Sequence, residues 1–106
     1  MSAQALSREF DLYVPLHYND GTPVEDAKLA RLRQCLVDRF GGLLDTRQRG
    51  AGQWKVGAVT FHDEIVIYRL LATEDAIPFF KELKEEMKRE FQQEDVLIVV
   101  RKITIL

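Results

Sequence analysis

Two stretches of this chain, Glu64–Ala72 and Asp95–Ile105, are apolar at odd and even positions alike, and this limits the available folds more than any other feature. Successive side chains of a strand point to opposite faces. Ile65, Ile67 and Leu71 therefore oppose Val66, Tyr68 and Leu70, and Val96, Ile98 and Val100 oppose Leu97, Val99 and Ile103. A half-exposed antiparallel sheet alternates apolar and polar residues. These strands do not, so both faces of their sheet ask for cover.

The remaining elements follow in order. Phe10, Leu12, Val14 and Leu16 recur at every second position and make a first strand, ended by the turn-forming His17-Tyr18-Asn19-Asp20-Gly21. Thr22-Pro23-Val24-Glu25 reads as a helix start, with Thr22 as N-cap, proline at the first helical position and Glu25 closing a capping box. Leu29, Leu32, Leu36 and Phe40 then form one apolar stripe with Cys35 beside it, and Gly41-Gly42 ends the helix.

Leu43–Arg47 reads as a short second strand and Gln48–Gly52 as a basic, glycine-rich mobile loop. Trp54–Phe61 reads as extended, His62-Asp63 as a turn, and Glu64–Ala72 as a long strand in a hairpin. A second helix begins near Asp75-Ala76, tolerates Pro78 in its first turn, and buries Phe80, Leu83, Met87 and Phe91.

Strand, helix, strand in each half gives the order βαββαβ. Its expected solution is a ferredoxin-like α+β sandwich, an antiparallel sheet with two helices on one face and an extra hairpin strand. The division is a polar leader over 1–8 and one domain over 9–106. Two helices on one face leave the other apolar face open, which predicts a homodimer through it. The alternative is that the extra hairpin covers that face.

Composition removes several function classes. The 106 residues carry a net charge of −2, with no overall positive field to hold phosphate backbones or anionic membranes. Nucleic acid is not the expected partner. The one cysteine, Cys35, permits no intrachain disulfide and no cysteine-based metal cluster, and its place on the apolar stripe makes it an inert thiol. Residues Met1–Glu9 lack the pattern of a signal peptide, and no apolar run is long enough to span a bilayer. The expectation is a cytoplasmic protein with no cofactor and no metal.

The topology locates a site even though no motif does. The loop His17–Pro23, the segment Arg47–Glu64 and the junction Gln92–Asp95 meet at one end of the fold. They bring His17, Tyr18, Asp20, Arg47, Trp54, His62, Asp63, Glu64, Gln93 and Glu94 together, a mixture of aromatic, imidazole and carboxylate groups common in ligand sites. The expected ligand-binding residues are Trp54, Arg47, Tyr18, His17 and Gln93; the candidate acids and bases are Glu94, His62 and Glu64.

Arg39-Phe40-Gly41-Gly42-Leu43, Gly52-Gln53-Trp54, Glu64 and Phe91-Gln92-Gln93-Glu94-Asp95-Val96 occur in an order that resembles a group of small bacterial domains of unknown function. Its marks are a phenylalanine-glycine turn, a Gly-x-Trp element and a helix ending in Phe-x-Gln-Glu-x-Val. The spacing from Trp54 to Glu64 is longer here than that group implies. The resemblance implies an α+β fold, raises Trp54, Gln93 and Glu94 as site residues, and implies no activity.

Three functions compete. The first is a homodimeric module that binds a small molecule or a partner protein. The second is a cofactor-free enzyme in which Glu94 or His62 is the general base, Trp54 shapes the pocket and Arg47 holds an anionic substrate. The third is single-stranded nucleic-acid binding by Trp54 with Arg47, Arg49 and Lys55, against which the acidic charge balance argues.

Overall fold

The computed structural model describes residues 6–56 and 59–106, excluding the side chains of 52–63. Alternation in the first strand makes β1, Arg8–Pro15, with Phe10, Leu12 and Val14 buried on one face. It is followed by α1 (Asp26–Phe40), β2 (Leu44–Val56), β3 (Val59–Ala72), a 3-10 turn (Glu74–Ala76), α2 (Ile77–Glu90) and β4 (Ile98–Lys102). The four strands form one antiparallel sheet in the order β2-β3-β1-β4, which with two helices makes an α+β fold. No helix among the described residues is long and apolar enough to cross a membrane.

The core lies between one sheet face and the two helices. Phe10, Leu12 and Val14 of β1 and Val66, Tyr68 and Leu70 of β3 meet Leu32 and Leu36 of α1 and Phe80, Leu83 and Met87 of α2. Phe80 stacks on Phe10 at 4.1 Å between centroids and on Phe40 at 5.3 Å, tying both helices to the sheet. Aromatic pairs at such separations add to what their burial contributes. Tyr68 keeps its ring in the core and its hydroxyl at the edge, where it accepts a hydrogen bond from Arg33.

Local chemistry accounts for three departures from the expected elements. Thr22 does not cap α1. Thr22 N–H and Oγ1 both bond to Asp20 Oδ1, closing a turn, and Pro23 bridges back to His17, so the helix starts only at Asp26. The glycine-rich Gln48–Gly52 is not a loop. It lies within β2, whose pairing with β3 slips between Asp45 and Arg49 at a bulge where Arg47 takes φ 53°.

His62-Asp63 is likewise no turn, because Gly52↔Asp63 and Gln53↔His62 are paired strand positions. The expected extra hairpin strand is thus an extension of β2 and β3, and the described residues contain four strands. Cys35 is exposed beside the buried stripe rather than part of it. It directly precedes the inward-facing Leu36, and the rotation of about 100° between neighbouring helical residues turns it out of the stripe. The helix ends where expected: Gly41 adopts φ 80° and its N–H closes on Val37 O.

Candidate functional site

The end of the sheet where β1 leaves for α1 is held by main-chain bonds. Leu16 N–H donates to Glu64 O (3.0 Å) and Val24 N–H to Leu16 O (2.9 Å), which ties the loop His17–Pro23 to β3. Gly21, at φ 88°, closes that loop with its N–H on Tyr18 O. Asp20 stays low in pKa because it accepts both Thr22 bonds.

On this frame stand two groups of side chains. In the first, the Tyr18 hydroxyl donates to Glu25 (2.8 Å) and accepts from Lys28 Nζ (2.7 Å), and Lys28 also reaches Glu90 O at the end of α2. The hydrogen bond from Tyr18, with Lys28 nearby, holds Glu25 below the usual carboxylate range; the same hydroxyl and Glu25 raise Lys28. In the second, His17 Nδ1 lies 4.0 Å from Glu64 Oε2, and Gln93 Nε2 donates to Phe91 O (2.9 Å) and sits 3.5 Å from His17 O.

The junction after α2 completes the end. Gln92 takes φ 53°, turning its carbonyl to accept from Asn19 Nδ2 (3.2 Å). Burial raises the Asp95 carboxyl, but a bond from its neighbour Val96 N–H and the charge of Lys84 outweigh this and lower it. Glu94 is exposed on a shallow depression of about 480 Å³ shared with Glu85, Lys88, Arg89, Gln92 and Gln93.

The structure therefore brings His17, Tyr18, Glu64 and Gln93 to one end, with Glu94 beside them. Arg47 is not there. Its bulge lies next to Ile67, which pairs with Tyr13 two residues before the end of β1, because β2 continues upward past the position where a loop was expected to begin. Trp54 and His62 pair with Phe61 and Gln53 on the hairpin beyond Glu64; their side chains lie outside the described residues. No cluster of three metal-ligating side chains occurs among the described residues.

Sequence reasoning missed Glu25 and Lys28, the partners of Tyr18. It also missed a charged network on the sheet face opposite the helices. Asp11, 1% exposed, accepts Arg69 Nε (2.7 Å) and Nη2 (2.9 Å) and Arg101 Nη1 (2.9 Å), while Glu9 accepts Arg101 Nη1 at 3.2 Å. Burial raises the Asp11 carboxyl, and hydrogen bonds and charge from Arg69 and Arg101 more than reverse this, leaving it lowered. The available signal was the charged residues interrupting the apolar strands: Glu9 and Asp11 in β1, Arg69 in β3 and Arg101 in β4.

Two solved structures of a phage SAM lyase have a similar fold. The complex with S-methyl-5'-thioadenosine matches 93% of this chain and 90% of its own, with TM-score 0.61 and 17% identity. The apo state matches 99% of this chain and 95% of its own, with the same TM-score and identity. Neither a family model nor a curated protein matches this chain.

Proposed function

We propose that this chain is a small-molecule-binding α+β domain of ferredoxin-like order whose ligand is an adenosyl sulfur compound, S-adenosylmethionine or S-methyl-5'-thioadenosine. The observation that carries this reading is the end-to-end likeness to a phage SAM lyase in complex with the latter. The strand order β2-β3-β1-β4 supports the ferredoxin-like part. The ligand lies at the end of the sheet that holds His17, Tyr18, Glu64 and Gln93, and Trp54 is proposed as its aromatic partner because its residue type is one that bases stack on.

Thermal denaturation with each compound tests it. Ligand at one hundred times its dissociation constant adds about 2.7 kcal/mol to stability, and Trp54→Ala loses most of that response while keeping the wild-type circular dichroism. No shift with either compound, or an undiminished shift in Trp54→Ala together with Glu64→Gln, removes the proposed ligand or its location.

A catalytic reading has one observation in its favour, the exposed Glu64 carboxylate 4.0 Å from the His17 imidazole. Such a pair has the groups to take up a proton and return it. On this reading Glu64 takes a proton from the carbon next to the sulfur-bearing carbon of the S-adenosylmethionine amino-acid chain, a C=C bond forms as the carbon–sulfur bond breaks, and S-methyl-5'-thioadenosine leaves as a neutral thioether, measured by chromatography. Glu64→Gln lowers that turnover at least about a hundredfold. Turnover unchanged in Glu64→Gln, Glu94→Gln and His62→Ala removes all three as the base.

A further inference from the structure

The ligand end is assembled from separate pieces of chain: the loop His17–Pro23, the start of α1, and the end of α2 with the junction that follows it. One ammonium group joins them all. Lys28, on α1, places Nζ 2.7 Å from the Tyr18 hydroxyl in the loop, 2.8 Å from Glu90 O at the end of α2, and 3.5 Å from Glu25 Oε2, just before its own helix. An ammonium has three N–H donors, and these partners match them. The Lys28 side chain is accordingly only 21% exposed.

Each bond answers a local need. The last carbonyls of a helix have no partner within it, and a cation there also meets the negative end of the helix dipole. Glu90 is the last residue of α2, and Lys28 supplies the donor from the other helix. A carboxylate only accepts and an ammonium only donates, so the Tyr18 proton is committed to Glu25 (2.8 Å) and the hydroxyl has no donor left for a bound molecule. Among the described residues, the other side-chain contacts from loop to junction are Asn19 Nδ2 to Gln92 O (3.2 Å) and Gln93 Nε2 to His17 O (3.5 Å), both from uncharged amides. Charged donors make the stronger bonds.

We propose that Lys28 is a positioning residue for the ligand site, a latch that sets the loop carrying His17 against the junction carrying Gln93, and that Tyr18 acts through this latch rather than by a hydrogen bond to the ligand. Tyr18 directly follows His17, and Glu90 directly precedes Phe91, whose carbonyl holds the Gln93 side chain. The two short bonds from Lys28 therefore fix both site residues through adjacent main chain. The effect on affinity rests on the ligand reading; the effect on the loop and the junction does not.

Calorimetric titration with S-adenosylmethionine and S-methyl-5'-thioadenosine, and amide exchange of the unliganded proteins, test this on wild type, Lys28→Met, Tyr18→Phe, the double variant and Lys81→Met, each first matched to the wild-type circular dichroism spectrum. Tyr18→Phe removes a single oxygen, so it carries the test even where Lys28→Met does not fold. Lys81 is the control, exposed near the other end of α2 and roughly 14 Å along the helix from Glu90. For whichever compound wild type binds, Lys28→Met and Tyr18→Phe each raise the dissociation constant about tenfold, the double variant raises it no further, and Lys81→Met leaves it unchanged. Without ligand, the amides of Tyr18 and Gln93, bonded to Thr22 O and Lys88 O, exchange at least about tenfold faster in both single variants, while those of β1 do not change. Wild-type affinity in the single variants overturns the latch, and so does a double variant weakened by the product of the two effects, about a hundredfold. Unchanged exchange at Tyr18 and Gln93 overturns it as well, with or without binding. Wild type that binds neither compound overturns the ligand reading alone, and faster exchange then still upholds the latch.

Discussion

Asp11 is the residue on which the most interactions turn, for it occupies the centre of β1 with its carboxylate buried and both oxygens bonded to arginine. Removing one member of a buried ion pair strands the others. The arginines keep part of their contact with water, so Asp11→Ala costs about 2–3 kcal/mol by urea denaturation, below the ~3–5 of a fully buried pair. The carboxyl is lowered in the folded state, so its contribution is complete above the ordinary aspartate pKa of the unfolded chain and is lost as pH falls through the lower folded value. Wild-type stability therefore declines on acidification below about pH 4, and the decline is shallower in Asp11→Asn. An equal slope in both proteins removes Asp11 as its source.

At the scale of elements, the end of α1 was legible and its beginning was not. Glycine is favoured at the left-handed end of a helix whatever surrounds it, and Gly41 stands at φ 80° with no atom within 4 Å of an added Cβ. Gly41→Ala meets no clash and costs about 1 kcal/mol in a thermal melt, from backbone strain alone. The Thr22-Pro23-Val24-Glu25 signature lost to a tertiary arrangement: Val24 N–H bonds to Leu16 and is buried, while the Glu25 side chain reaches Tyr18. In α2 the apolar spacing correctly marked Phe80, Leu83 and Met87. Phe80→Ala empties the space between Phe10 and Phe40 and costs about 3–5 kcal/mol, and a loss under 1 kcal/mol shows that the stack closes up around the gap.

The whole molecule is longer than its residue count requires. Its extents are 47 × 29 × 24 Å and its radius of gyration 14.5 Å, against about 13 Å for a compact chain of this size. The fourteen residues of β3, at about 3.3 Å each, come to roughly 46 Å, so the hairpin sets the long axis. Only the lower part of that hairpin is joined to β1, from Ile65 to Ala72. Amide exchange should consequently be slowest in Arg8–Leu12 and in Ile65–Arg69, which lie between two strands, and faster in Arg49–Gly52 on the edge strand. Equal protection in the two groups contradicts a hairpin joined to the sheet only at its base.

The periodicity of apolar residues marked β1, the Glu64–Ala72 part of β3, the two helices and the residues of these elements that face the core, because each depends on which side chains must leave water together; it did not mark the length of β2 or of the hairpin it makes with β3. The glycine-rich Gln48–Gly52 misled because its pairing to β3 is a long-range partnership with no local mark. The convergence of His17, Glu64 and Gln93 was legible from strand directions alone. The displacement of Arg47 from their end of the sheet was not, since it follows from the register slip between Asp45 and Arg49. Nor was the ion network: Glu9, Asp11, Arg69 and Arg101 are scattered in sequence, and only the register of β1 between β3 and β4 decides that each charge meets its opposite across a face expected to be wholly apolar.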